Sequence, residues 1–144
     1  MYLIDTNVLS EIRKKNNANS GVRDFFARAV EQELSLFISV ITVGELRRGV
    51  NLIRHRGDKR QANILEKWLE LILEEYSDNV LEFTVIEAQV WGQLRVQNHE
   101  NALDKQIAAT ALTYDLTVVT RNIDDFIGTG VKLINPFKCQ NETH

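Results

Sequence analysis

The sequence predicts an α/β domain of three layers, α/β/α, with a central parallel sheet of about five strands and a protruding helical hairpin. Three observations carry that expectation. Short apolar runs alternate along the chain with stretches whose apolar residues recur at helical spacing, the pattern of strands joined by helical crossovers. The run from Leu34 to Thr42 is almost continuously apolar, as a parallel strand covered on both faces must be. No repeat, low-complexity tract or linker divides the 144 residues, a length that can bury one core, so residues 1–144 are expected to form a single domain.

In chain order, Tyr2-Leu3-Ile4 reads as a short buried strand ending on Asp5. Val8, Leu9 and Ile12 then sit at helical spacing, and the pattern decays into the basic, amide-rich loop Arg13 to Asn17. Ser20 is the expected cap of a second helix whose one face is Val22, Phe25, Phe26, Ala29 and Val30. The strand Leu34 to Thr42 leads into a helix from Val43, with Glu45 near its start. Gly57 and Asp58 break the following stretch into a helical hairpin. Its second arm, about Gln61 to Tyr76, carries the stripe Ile64, Leu65, Trp68, Leu69, Ile72 and Leu73, broad enough to face the core or another subunit. Val80 to Phe83 is a third strand, and a helix from about Val85 to Asn98 turns Val90, Trp91 and Leu94 inward. Asn101 to Asp104 opens a small-residue helix through Leu112. Leu116 to Thr120 is a fourth strand, rich in β-branched residues. Arg121 to Phe126 is a loop or single turn, Gly128 and Gly130 mark another turn, and Val131 to Ile134 is the last strand before Pro136.

In this arrangement acids recur just after a strand or at a helix start: Asp5, Glu45, Asp104 and Asp125, the last with Asn122. Each has an ordinary structural explanation. Asp5 suits a helix cap, Thr42-x-x-Glu45 matches a capping box, Asp104 suits a cap or first-turn acid, and Asp124 and Asp125 suit a solvated turn. Four together point elsewhere, because ligands of open parallel sheets collect outside the carboxyl ends of the strands. Carboxylates gathered there repel one another and lose hydration, which a divalent cation relieves. His55, His99 and His144 fall at a basic loop, a helix end and the terminus. All-oxygen ligation therefore selects Mg²⁺ or Mn²⁺ over zinc, and such a site suits phosphodiester hydrolysis.

The motifs resemble those of PIN-domain proteins, in particular the VapC/FitB-like toxins of prokaryotic type II toxin–antitoxin systems. Leu3-Ile4-Asp5-Thr6-Asn7-Val8-Leu9 is similar to that family's first motif, and Ser39 to Gly49 (SVITVGELRRG) to its second. Asp104 to Leu112 (DKQIAATAL) resembles the third, Val119 to Phe126 (VTRNIDDF) the fourth, and Asn135-Pro136-Phe137 a common family ending. The resemblance implies a PIN-like fold and a Mg²⁺-dependent endoribonuclease, with Mn²⁺ able to substitute. It also implies a homodimer neutralised by a cognate VapB-like antitoxin, through which alone it reaches DNA. Carried onto this chain, the catalytic and metal-site residues are Asp5, Glu45 and Asp104, with the fourth position at Asp125 or Asn122. Thr6, Asn7 and Thr120 are expected to orient the carboxylates, and Asn122 to coordinate or hold a water.

Composition bounds the remaining readings. Net charge is -3, so no global basic field announces nucleic acid, and the cluster Arg47, Arg48, Arg54 and Arg56 is the expected place for RNA backbone or antitoxin contacts. A solvated helix face explains the same cluster. One cysteine excludes an internal disulfide framework. No apolar run approaches a membrane span, and Asp5 interrupts any secretory pattern at the start, so the expected location is the cytoplasm. Two rivals stand beside the nuclease. Of aspartate-based phosphotransfer domains, the phosphatases need a second Asp two residues after the first, where Asn7 stands instead, and receivers need an acidic pair and a later lysine that the sequence does not place. A catalytically weak PIN scaffold used for partner binding and autoregulation would have less reason to keep Asp5, Glu45 and Asp104.

Overall fold

A computed structural model, which describes residues 1–139, contains five strands and six α-helices among those residues. The strands are β1 (Tyr2–Ile4), β2 (Leu36–Ser39), β3 (Val80–Leu81), β4 (Thr117–Val119) and β5 (Lys132–Ile134). All are parallel and lie in the order β3-β2-β1-β4-β5. The register places Leu3 opposite Phe37 and Val118, and Ile4 opposite Val119. Strand alternation then sorts the core into two halves. Leu3 and Val118 face α6 (Ala102–Tyr114) together with Ile107, Ala108, Ala111 and Phe126. Ile4, Ile38 and Val119 face the opposite way, onto α1 (Thr6–Ile12), α2 (Ser20–Glu31), α3 (Val40–His55) and α4 (Lys59–Glu75). The expected three-layer α/β/α architecture is therefore present, and its central strands are dry on both faces.

Several boundaries differ from the sequence expectation, each for a local reason. Asn19, not Ser20, caps α2, its side chain accepting from the Gly21 amide at 2.9 Å. Val30 is 80% exposed, because the buried stripe of α2 is Val22, Phe25 and Ala29. Helix α3 begins at Val40 rather than Val43, with Ser39 Oγ accepting from the Ile41 amide at 3.0 Å. Thr42 is consequently inside the helix and fully buried, so it forms no capping box with Glu45. A second Thr-x-x-Glu opens α5 (Val85–Leu94), where Thr84 makes no side-chain bond to a backbone amide but donates its hydroxyl to the buried Glu87 at 2.6 Å. That helix stops four residues short of Asn98. Asp104 is a first-turn residue of α6 and not its cap, which is Asn101 in a left-handed conformation.

The hairpin of α3 and α4 turns at Gly57, whose φ of 94° is a glycine conformation, and Asp58 caps the second arm at the Gln61 amide. Both arms reach the core: Leu46 and Val50 from the first, Leu69 and Ile72 from the second. Arg47 bridges to Glu66 across the arms at 2.7 Å, with Arg54 behind it at 3.6 Å. At the other end of the chain the C-terminal segment docks on α2. Asn19 accepts from the Lys138 amide at 2.9 Å and donates to its carbonyl at 2.8 Å, and Gly21 lies so close that a Cβ there would fall 2.0 Å from the Pro136 oxygen.

Candidate active site

The sheet order reverses at β1. The chain winds outward from β1 through β2 to β3, then crosses back to lay β4 and β5 on the other side. The carboxyl ends of β1 and β4 therefore flank a topological switch point, where crossover helices diverge and leave a crevice. Four segments deliver side chains there: the β1–α1 junction, the second turn of α3, the first turn of α6, and the turn after β4.

Asp5 is the most deeply held, at 3% exposure. It caps α1 through the Thr6 amide at 2.8 Å and accepts from Thr120 Oγ1 at 2.8 Å and Asn7 Nδ2 at 3.2 Å. Its structural and its expected chemical roles thus coincide on one residue. Asn7 extends the web, donating to Thr120 Oγ1 at 3.3 Å and accepting from the Arg121 amide at 3.0 Å. Thr120 also accepts from the Asn122 amide at 3.0 Å, which fixes the start of the turn after β4. Thr6 donates its hydroxyl to Glu45 at 3.1 Å, linking the end of β1 to α3.

The turn after β4 is a 3-10 turn, Ile123–Phe126, and its facing follows from Phe126. That ring is fully buried against α6, so Asp125 is drawn half-inward while Asp124 and Asn122 are exposed. Glu45 and Asp104 are likewise half-buried.

The electrostatics show that these acids sense one another. Burial, followed by the charges of Asp5, Asp125 and Glu45 and a hydrogen bond shared with Asp125, pushes the Asp104 carboxyl from 3.8 up to about 7. Burial also raises Asp5, against the opposing hydrogen bonds from Thr120, Thr6 and Asn7, and Asp125 adds to the rise. Burial raises Glu45, with Asp5 adding to the effect and Arg48 opposing it. The four carboxylates approach without closing: among the described residues no three His, Cys, Asp or Glu side chains form a ready metal cage. A hard ion that keeps part of its water shell and takes one or two carboxylates directly fits such a spacing better than a dedicated all-protein cage does.

The chain matches the model of the PIN domain over residues 2–131. It belongs to the PIN domain family. It is similar to toxin FitB of Neisseria gonorrhoeae, 35% identical over 95% of this chain and 99% of that one. It is also similar to the VapC ribonuclease Y4jK of Sinorhizobium fredii, 29% identical over 96% of this chain and 99% of the relative. Among solved structures, the crystal structure of FitAcB from Neisseria gonorrhoeae superposes with a TM-score of 0.82 at 34% identity, covering 94% of this chain and 98% of that one. The PIN fold expected from the four sequence motifs is therefore the fold found.

The structure gathers Asp5, Glu45, Asp104 and Asp125 with Thr6, Asn7 and Thr120, and sets Asn122 on the rim. It does not gather the hairpin arginines in the same way. Arg47 and Arg54 are engaged with Glu66, Arg56 is exposed at the end of α3, and Arg48 alone bears on the site, through its effect on Glu45. His55 and His99 are exposed, and His144 lies outside the described residues. Arg121 was absent from the sequence-level candidates, although its place inside the fourth motif was a signal. Its amide is held by Asn7 beside the acids, and its guanidinium sits 4.8 Å over the Phe137 ring.

Proposed function

We propose that the chain is a divalent-metal-dependent endoribonuclease that hydrolyses RNA phosphodiester bonds as the toxin of a toxin–antitoxin pair, neutralised by a cognate VapB-like antitoxin. The observation that carries this reading is the convergence of four carboxylates from four separated segments on one switch point of a PIN domain, where burial and mutual repulsion raise Asp104 to about 7. Above the pH at which Asp104 keeps its proton, a divalent cation is the partner that offsets so unfavourable a cluster.

The donor set consists of carboxylate oxygens with amide and hydroxyl neighbours, which fits Mg²⁺, with Mn²⁺ as substitute. Asp5, Glu45, Asp104 and Asp125 are the residues that would hold the ion. Once bound, it supplies Lewis-acid activation of water and neutralises charge developing on the phosphate. The remaining work belongs to the chain. Thr6, Asn7 and Thr120 fix both oxygens of Asp5, so that carboxylate is aimed before any ligand arrives. The Thr6 hydroxyl steadies Glu45 against the repulsion of Asp5. Phe126 anchors the turn that presents Asp125, and the exposed Asn122 stands at the rim, where its side-chain oxygen is placed to hold a water.

In this reading the active particle is a cytoplasmic homodimer, and DNA is reached only through the antitoxin. Among the described residues no helix is long and apolar enough to cross a membrane. The apolar side chains Ile64 and Leu71, exposed on α4, favour a further protein contact. Cleavage of single-stranded RNA by wild type and by Asp5→Asn, in Mg²⁺ and in EDTA, tests the proposal. Loss of activity by orders of magnitude in the variant and in chelator is the expected result. Equal cleavage by the two proteins, or activity that survives EDTA and dialysis, overturns it.

A further inference from the structure

Resting on the ribonuclease reading above, we infer that RNA leaving the acidic site crosses Arg121 and enters a basic cleft formed by Lys14, Arg121, Phe137 and Lys138. Arg121 is the shared wall of two depressions. One, of about 390 Å³, holds Asn122, Asp124 and Asp125. The other, of about 530 Å³, is lined by three cations, Lys14, Arg121 and Lys138, and one anion, Glu11. That anion is already satisfied: Lys14 donates to it at 2.9 Å and the Asn19 amide at 2.8 Å, which hold it below the usual carboxylate range. Lys138 pairs at 2.6 Å with Asp24, which does not line this cleft.

Arg121 differs from both lysines. It is exposed, and among the described residues no carboxylate lies within ion-pair distance of it. Its guanidinium is held over the Phe137 ring at 4.8 Å. A guanidinium held by its face keeps its edge donors available, the geometry that suits bidentate recognition of phosphate. Its backbone is equally constrained, since the Arg121 amide donates to Asn7, which in turn donates to Asp5. One asparagine therefore sets the spacing between the acid at the centre of the site and the cation at its rim. A strand whose phosphate lies among the acids and which continues into the cleft lays a neighbouring phosphate across this rim, since Arg121 lines both depressions. Phe137, half-buried and packed against the core, is the platform that holds this guanidinium in place.

The test measures binding of a fluorescein-labelled single-stranded RNA by anisotropy across a salt series in Mg²⁺, using the Asp5→Asn background so that the RNA stays intact. Adding Arg121→Gln should weaken binding about tenfold and flatten the plot of log affinity against log salt by about 0.7, one phosphate contact on a single strand. Arg121→Lys should keep the salt slope and recover part of the affinity. Binding within twofold of the parent and an unchanged slope overturn the inference. So does an Arg121→Gln protein that melts several degrees lower, which would make the residue a clamp for the C-terminal segment. Unchanged RNA binding with lost binding of a poly-glutamate peptide assigns the cleft to an acidic protein instead, and also overturns it. If the Asp5-containing protein cleaves no RNA, the ribonuclease reading falls first, which separates the two failures.

Discussion

Asp104 gives the sharpest test of the electrostatic argument, because its perturbation has a pH window that can be worked out in advance. Folding raises its carboxyl from 3.8 to about 7, first through burial and then through Asp5, Asp125 and Glu45. Below pH 3.8 the proton is bound in both folded and unfolded states. Between 3.8 and about 7 the folded chain keeps a proton the unfolded chain has released, so stability falls as pH rises, and above about 7 the whole cost is in place. At about 1.4 kcal/mol per unit, the rise corresponds to a ceiling of about 4 kcal/mol. Asp104 is only half-buried and its neighbours share the effect, so screening and coupling reduce this to about 2 kcal/mol. Asp104→Asn keeps the size and a hydrogen-bond donor for Asp125 while removing the charge. In EDTA at pH 8 the variant should melt about 6 °C above wild type, taking about 3 °C per kcal/mol for a domain of this length. At pH 5, where only about a third of the window has been crossed, the gain should shrink to about 2 °C. Millimolar Mg²⁺ should then raise the wild type and narrow the gap. Thermal melts followed by circular dichroism read all three. A variant no more stable than wild type at pH 8, or a gap of equal size at both pH values, would refute the claim that mutual repulsion strains this site.

Three further outcomes follow from the same geometry. In an RNA cleavage assay Asp125→Ala should impair activity strongly, Asn122→Ala moderately and Asp124→Ala little, because Phe126 draws Asp125 inward and leaves Asp124 in solvent; Asp124→Ala as the worst of the three would mean the turn faces the other way. High Mn²⁺ should partly restore Asp125→Ala by refilling a weakened site. Gly21→Ala places a methyl 2.0 Å from the Pro136 carbonyl, and the backbone shift needed should cost about 1–3 kcal/mol and speed proteolysis of the C-terminal segment, as read by melting and limited digestion. Light scattering at tens of micromolar should report a homodimer, and affinity purification should recover a small neutralising protein encoded beside this chain; a lone monomer without such a partner counts against the toxin assignment.

The parts of this molecule legible in the sequence are those in which chemistry and position are local. A buried strand followed at once by an acid is visible at Ile4-Asp5, and Phe126 next to Asp125 discloses which of two adjacent acids turns inward. Boundaries inside apolar runs were not legible. From Leu34 to Thr42 nothing in the side chains separates strand from helix, and the change occurs at Ser39 because its hydroxyl finds the Ile41 amide once the chain turns. The Thr-x-x-Glu signature occurs at 42–45 and at 84–87, and tertiary position alone decides that only the second joins its hydroxyl to its glutamate. Contacts distant in sequence were hidden altogether. The Arg47–Glu66 bridge depends on the register of two helices, and Asn19 meets Lys138 across 119 positions. The hairpin basic cluster therefore looked like a free patch in the sequence, although two of its arginines are already paired.

Hydrogen bonding sets Asp5 apart from Asp104. Asp5 receives three donors, from Thr6, Asn7 and Thr120, and each opposes the rise that burial would otherwise impose on it. Asp104 receives no donor from a neutral neighbour among the described residues, and it is the acid raised to about 7. Asp5 is thus aimed before a ligand arrives, its hydrogen bonds opposing the rise that burial imposes, whereas the state of Asp104 depends on what stands beside it. Replacing a fixed anchor removes the frame on which a cation is placed, and no concentration of metal restores an aimed carboxylate. Replacing the responsive acid removes charge from a site that retains its frame, a defect that mass action can partly offset. The two substitutions should therefore differ in kind, with Asp104→Asn recovering measurable cleavage as Mn²⁺ is raised and Asp5→Asn remaining inactive throughout. A shared response to Mn²⁺ would show that the web around Asp5 is only a helix cap.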